Sequence, residues 1–247
     1  MKAMVFAAGL GTRLKPITDS LPKALVPICG QPLLGHVLRK LQAAGYTEAV
    51  VNIHHFPSLI REYLSGRDFG LEVHVSDESD ALLETGGGVR HAKELLLPCD
   101  EPFLVHNVDI ISDVDLSWFR AQVHPEALAT LLVSDRPTQR YLLFRKGDLR
   151  LVGWTNIGTG EVRSPYRDLD PSACLRYAFS GIHLLSPAVF DAFDALGMPA
   201  RFPIMDFYLE ACARYPVYGV PAPGLTLVDV GKIETLPEAE RVCEKLL

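Results

Sequence analysis

An excess of basic charge is missing from this chain: 24 Lys and Arg stand against 30 Asp and Glu, a formal net charge of −6 over 247 residues. Nucleic-acid affinity rests largely on neutralising phosphates with Lys and Arg. The balance therefore excludes a nucleic-acid partner, and any polyanionic ligand requires a local basic site or a metal. No apolar run approaches the roughly 18 residues that cross a bilayer, so no membrane partner is expected. The opening "AMVFAAGL" (3 to 10) imitates a signal peptide but meets Arg13 and Lys15 without a long apolar core. Cysteine is sparse and odd in number (Cys29, Cys99, Cys174, Cys212, Cys243), with no CxxC spacing. Neither a disulfide framework nor a zinc site is implied, and a reducing cytoplasm is the expected setting. Repeats, low-complexity tracts and flexible linkers are also lacking. With 48% hydrophobic residues to fill a core, one domain over 1–247 is expected.

What is present is an alternation. Short apolar runs suited to buried parallel strands recur at 3–8, 48–54, 71–76, 103–109 and 128–134. Between them lie segments that space large apolar residues three or four apart, at 32–45, 57–66 and 88–97. The first of these opens at Pro32 and stops at Gly45, as helix-end chemistry favours. Such β-α alternation implies a mostly parallel sheet with helices on both faces and ligands at the carboxyl ends of the strands. After residue 135 the rhythm changes. Residues 141–154 read as a hairpin turning near Gly147 and Asp148, an antiparallel addition. A strand at 175–186 follows, then helical patterns at 187–196 and 203–215, a short run ending at Asp229, and a charged helix over 234–247.

The stretch after the first strand, "FAAGLGTRLKPITDSLPKALVPICG" (6 to 30), carries the chemistry. Gly9 and Gly11 let backbone amides approach phosphate oxygens. A dinucleotide fingerprint is excluded, because Leu14 stands where GxGxxG needs its third glycine and Pro16 opposes an immediate helix. Walker A is absent too. In their place come Arg13, Lys15 and Lys23, with prolines at 16, 22 and 27 stiffening the loop. The plain alternative is a solvated loop with ordinary charges.

From Ala7 to Pro32 this stretch resembles the signature of the sugar-1-phosphate nucleotidyltransferases. The resemblance continues in "LLETGGGVRHA" (82 to 92), "FLVHNVDI" (103 to 110), "FSGIHLLSPAVF" (179 to 190) and "LVDVGKIETLPEAE" (227 to 240). The short form and "LETGGG" look most like the N-acetylmuramic acid 1-phosphate uridylyltransferases of cell-wall nucleotide-sugar metabolism, with mannose- and heptose-1-phosphate guanylyltransferases as close relatives. The likeness implies a Rossmann-like, GT-A-like α/β/α sandwich, NTP and sugar 1-phosphate as partners, a monomer or homodimer, and no C-terminal β-helix with acetyltransferase activity. UTP is the first choice, GTP the second.

By that likeness Arg13 grips the triphosphate and Lys23 neutralises the reacting phosphates. Ala8, Gly9, Leu10, Gly11 and Thr12 wrap phosphates and ribose, with Asn107 beside them. Glu84, Thr85, Gly86 and Gly87 face the nucleobase, their bare backbone letting a flat base pack while amides read its edge. Gly181 lies on the sugar side. Trp154 and Asn156, near the end of the hairpin, are of the types that stack on and hydrogen-bond a hexose, with core packing the equal alternative for Trp154. Asp109 and Asp229, each ending an apolar run, are the expected Mg²⁺ ligands, since that ion takes one or two carboxylates plus water and phosphate; the alternative is that each caps a turn. Asn52, His54 and His55 read as structural or rim residues. Departures from the family pattern are Val108 in place of a glycine, Lys232 in place of a threonine, and the lack of an "EKP" triad between 140 and 165. Arg140, Lys146 and Arg163 are the candidates for its missing lysine. Val108 and Lys232 also motivate a second reading, a catalytically idle nucleotide-sugar sensor.

Overall fold

A computed structural model of the chain describes residues 1–246; Leu247, the last residue of the expected C-terminal helix, lies outside them. In chain order the first half contains β1 (Lys2–Phe6), β2 (Pro27–Ile28), β3 (Gln31–Pro32), α1 (Leu33–Ala43), β4 (Glu48–Ile53), α2 (Pro57–Ser65), β5 (Glu72–Asp77), α3 (Glu84–His91), α4 (Lys93–Leu96), β6 (Phe103–Asn107) and β7 (Ile110–Ser112). The second half contains α5 (Leu116–Ala121), β8 (Ala129–Ser134), β9 (Arg140–Phe144), β10 (Leu151–Asn156), β11 (Glu161–Arg163), β12 (Leu175–Leu185), α6 (Val189–Ala195), α7 (Ile204–Ala211), β13 (Val217–Pro221), β14 (Leu227–Asp229) and α8 (Leu236–Leu246).

Strands β5, β4, β1 and β6 pair in parallel in that order. The runs of β1, β4 and β6 are largely apolar because both faces are covered, whereas β5, at the edge, is polar at Glu72, His74, Ser76 and Asp77 and partly exposed. On β1 the period of two separates the layers: Ala3 and Val5 join the core under α1, α2 and α8, whereas Met4 and Phe6 join the core under α3, α6 and α7. This is the α/β/α sandwich that the alternation implied. Beyond β6 the sheet turns antiparallel through β12 and β8 and ends on β13, parallel to β8. The first residues of β12, Leu175 to Tyr177, leave this sheet and pair with β9, which leads into β10 and β11. The β12–β8 register shifts between Phe179 and His183, around Gly181 at φ +72°. This irregularity lets one strand serve both parts of the sheet.

Two local differences from the sequence pattern have clear causes. The helix expected over 88–97 begins earlier, at Glu84, and breaks near Ala92 into α3 and α4. The amides of Gly86 and Gly87 donate to the Phe202 carbonyl at 2.8 and 3.2 Å, so a distant loop holds the glycine run in helical form. The unexpected α5 starts on Asp115, whose carboxylate accepts from the amides of Ser117 and Trp118 at 2.8 and 3.1 Å. Strands β7 and β14 form a small ladder that pairs Asp229 with Ile110. In addition, the Val230 amide donates to the Asp109 carbonyl at 2.8 Å. That ladder brings the two expected metal carboxylates together from 120 residues apart.

Candidate active site

The carboxyl ends of β1, β4 and β6 open onto a cavity of about 300 Å³. Seven expected site residues line it: Ala8, Gly9, Lys23, Glu84, Thr85, Asn107 and Asp109. The loop after β1 is held at both ends. At its start the Ala7 amide donates to Asn52 Oδ1 at 2.7 Å, and Asn52 Nδ2 donates to Glu78 Oε1 at 2.7 Å. At its turn Gly11 takes φ +64°, and its carbonyl accepts from the Leu14 amide and Thr18 Oγ1, both at 2.8 Å. A Cβ on Gly11 would stand 2.9 Å from Thr18 Cγ2, so the kink needs glycine on two counts. Leu14 is fully buried; the position that spoils the dinucleotide fingerprint anchors the loop in the core. Gly9 has nothing within 4 Å of a would-be Cβ, which leaves its backbone open to a ligand.

Lys23 and Asp109 form an ion pair in the floor, with side chains only 11% and 17% exposed. Arg13 extends beside Asp229: a Cβ on Gly231 would meet Asp229 Oδ1 at 2.7 Å and Arg13 Nη2 at 2.9 Å. Burial, and then the charge of Asp109, push the Asp229 carboxyl above the usual range, while Lys23, Arg13 and Arg136 pull it back. A deprotonated Asp229 at neutral pH thus faces a like charge that nearby cations offset only in part, the setting a divalent cation relieves. Among the described residues no group of three or more His, Cys, Asp or Glu could hold a metal. Two carboxylates with open positions suit Mg²⁺, whose remaining ligands are water and phosphate. The donor set fits that ion.

Asp229 also lines a second cavity of about 400 Å³, with Trp154, Arg136, Arg140, Arg163 and Asp206. Trp154 is among its lining residues; Asn156 is not, and its Oδ1 accepts from the Gly158 amide at 3.0 Å in the β10–β11 turn. Leu10, Gly11 and Thr12 line neither cavity. Gly181 sits behind Asn107, where a Cβ would come within 2.9 Å of Asn107 Nδ2, so its bareness makes room for a side chain of the first cavity.

The glycine run requires a correction. The Gly86 and Gly87 amides are already bonded to Phe202, and their Cβ positions are taken by the Phe202 ring at 2.2 Å and the Ala200 carbonyl oxygen at 2.4 Å. These two glycines pack α3 against the 200–204 loop, and neither lines the cavity. Thr85 Oγ1 likewise accepts from the Ile204 amide at 2.8 Å, and Glu84, at φ +62°, pairs with Arg201 at 2.9 Å. Glu78, which sequence reasoning missed, lines the cavity while 3% exposed. Burial raises its carboxyl pKa, opposed by bonds from Asn52 and the Leu83 amide. His54 Nδ1 lies 2.6 Å from the Glu78 carbonyl, a structural role as expected. Arg136 was missed too, although it follows the end of β8 as Asp109 follows the end of β6. Of the three candidates for the missing lysine, Arg140 and Arg163 reach the second cavity; Lys146 does not.

The family model for nucleotidyl transferases matches residues 2–144. N-acetylmuramate alpha-1-phosphate uridylyltransferase of Caulobacter vibrioides is 35% identical over 230 residues, covering 90% of this chain and 89% of its own. The protein of the same name from Neisseria meningitidis serogroup B is 32% identical over 244 residues, 97% of each chain. Among solved structures, HddC from Yersinia pseudotuberculosis complexed with GMP-PN superposes with a TM-score of 0.75 at 20% identity, over 100% of this chain and 99% of that one, a likeness of fold.

Proposed function

The chain belongs to the nucleotidyl transferase family, and from that premise we propose that it transfers a uridylyl group from UTP to N-acetylmuramic acid 1-phosphate with the help of Mg²⁺. Its family and its full-length relatives make it a sugar-1-phosphate nucleotidyltransferase. The finer reading draws on the names of those two relatives. The observation that carries the transfer reaction is the placement of the carboxylates: Asp109 in the wall of one cavity, Asp229 in the wall of the other, with the Asp109 carbonyl accepting from the amide of Val230, the residue after Asp229. A nucleotide in the first cavity and a sugar phosphate in the second meet at that seam.

The reaction needs no protein nucleophile. A phosphate oxygen of the sugar 1-phosphate attacks the α-phosphorus, the bond from the α-phosphorus to the β-bridging oxygen breaks, and pyrophosphate leaves with that electron pair. Positioning and charge stabilisation supply the acceleration. Lys23, held in the floor by Asp109, offers its ammonium to the reacting phosphates, and Arg13 reaches them from the rim. Gly9 gives the triphosphate close approach to the backbone. Glu84, Thr85 and Leu82 form the far wall, where the base fits. Bound between Asp109 and Asp229, Mg²⁺ would neutralise charge on the reacting phosphate oxygens. Among the described residues no helix is long and apolar enough to cross a membrane.

Pyrophosphate release from four NTPs against a small panel of hexose 1-phosphates tests the proposal. UTP with N-acetylmuramic acid 1-phosphate is expected to give the highest kcat/KM, and Asp109→Asn to lower turnover by on the order of 10², the scale of losing one preorganised electrostatic group. A better rate with GTP and another sugar overturns the substrate assignment. Unchanged turnover in Asp109→Asn overturns the role of that carboxylate.

A further inference from the structure

Three guanidinium groups line the second cavity: Arg136, Arg140 and Arg163, together with the carboxylates of Asp206 and Asp229. Arg163 is already engaged, with Nη2 at 2.7 Å from Asp206 Oδ1. Asp229 belongs to the seam with the first cavity. Two guanidinium groups remain, and they differ in setting. Arg136 is half-buried; its Nη2 donates to the Phe179 carbonyl at 3.1 Å, and its buried Nε finds no acceptor among the described residues. A buried donor left unpaired is unfavourable. Arg140 is exposed at the start of β9 and makes no ion pair among the described residues.

Strand register sets the rest of the surface. Leu142 pairs with Trp154 and Trp154 with Arg163, so these three share a face of the small antiparallel sheet. Arg140, two residues before Leu142 on β9, projects to the same side. The cavity thus has an indole in its wall, a half-buried guanidinium near Asp229 and an exposed guanidinium on the strand that carries Leu142.

We propose that this cavity receives a sugar bearing two anionic groups, its 1-phosphate on Arg136 and a carboxylate on Arg140, with the ring over Trp154. The proposal rests on the uridylyltransferase reading and names what in the site selects an acidic sugar over its neutral parent. Arg136 supplies the cation for the phosphate; its planar fork donates two parallel bonds to a phosphate. Arg140 recognises the ether-linked carboxylate that distinguishes N-acetylmuramic acid from N-acetylglucosamine.

The experiment compares pyrophosphate release from UTP with N-acetylmuramic acid 1-phosphate and with N-acetylglucosamine 1-phosphate, the same ring without the acidic arm. Wild type is expected to favour the acid in kcat/KM. Arg140→Ala is expected to shrink that preference roughly tenfold, through KM, as befits one charge-assisted hydrogen bond; Arg140→Lys should retain much of it. Arg136→Ala is expected to lower kcat/KM for both sugars alike, with partial recovery in Arg136→Lys and little change in melting temperature. An unmoved preference in Arg140→Ala, or undiminished kcat/KM in Arg136→Ala, overturns the proposal. If wild type releases pyrophosphate from neither sugar, the uridylyltransferase reading falls by itself. Calorimetric titration of the two sugar phosphates then decides the two-anion site: tighter binding of the acid that Arg140→Ala abolishes supports it, and equal binding overturns it.

Discussion

Replacing Gly231 with alanine separates the chemistry of this site from its stability. The added Cβ would lie 2.7 Å from Asp229 Oδ1 and 2.9 Å from Arg13 Nη2, both well inside ordinary van der Waals contact of about 3.5 Å. Gly231 is not among the glycines at positive φ, so alanine introduces no backbone strain there. The methyl must instead displace the ends of two functional side chains by several tenths of an ångström. Misplacement on the scale of 1 Å is enough to slow a positioned reaction by about 10²-fold, and a smaller shift should fall between 10- and 100-fold in kcat/KM. No core volume is removed, so the melting temperature should move by no more than about 2 °C. Pyrophosphate release with UTP and sugar phosphate varied in turn, alongside a thermal melt, reads both quantities. Full activity at unchanged stability would show that the approach of Arg13 to Asp229 is irrelevant to turnover, and the seam between the cavities would lose its meaning.

Gly86→Ala should behave in the opposite way, because its Cβ would meet the buried Phe202 ring at 2.2 Å. Overpacking of this kind costs about 1–3 kcal/mol, to be read as a shifted urea midpoint, whereas Gly9→Ala, with open space around it, should leave the midpoint in place. Asn52→Ala removes the acceptor of the Ala7 amide and the donor to buried Glu78. A loss of about 2 kcal/mol is expected, together with a weakened affinity for UTP in equilibrium titration; an unchanged midpoint would sever Asn52 from the loop. Acid should destabilise the fold through two buried histidines. Burial lowers His106 to about 4 and His183 to about 3, from an ordinary value of 6.5. Below pH 6.5 the unfolded chain takes up protons that the native state refuses, so stability falls as pH drops through that window and gains nothing further above it. About 2 kcal/mol per histidine is expected between pH 7 and 5, and His183→Gln should flatten the profile; an identical slope in that variant refutes the assignment.

The inner strands of the parallel block were legible because burial on both faces requires apolar runs, which β1, β4 and β6 carry, while β5 at the edge shows an alternation around Val73 and Val75. The helix starting at Leu33 was legible from Pro32 and Gly45, where local chemistry sets the ends. The short elements escaped. Strands β7, β11 and β13 are three to five residues long and form only because partners from elsewhere in the chain lie beside them. The glycine run at 86–88 was read as bare backbone for a ligand, and no local signal tells that purpose from packing against Phe202, which is more than a hundred residues away. Glu78 and Arg136 went unnoticed for the same reason. Each is an ordinary charged residue after a strand until the fold places Asn52 next to one and Asp229 near the other.

By itself the sequence determined the alternation of strands and helices and the glycine-bearing loop after β1, and it singled out Lys23, Asp109 and Asp229 as candidates, because period, turn chemistry and ligand type are properties of residues and their near neighbours. The tertiary structure decided which groups share a space. The β7–β14 ladder sets Asp229 beside Asp109, the missing side chain of Gly231 lets Arg13 approach, and β12 bends to place Arg136 and Trp154 in the wall of a second cavity. Those juxtapositions depend on contacts between parts of the chain far apart in sequence, which no local pattern encodes.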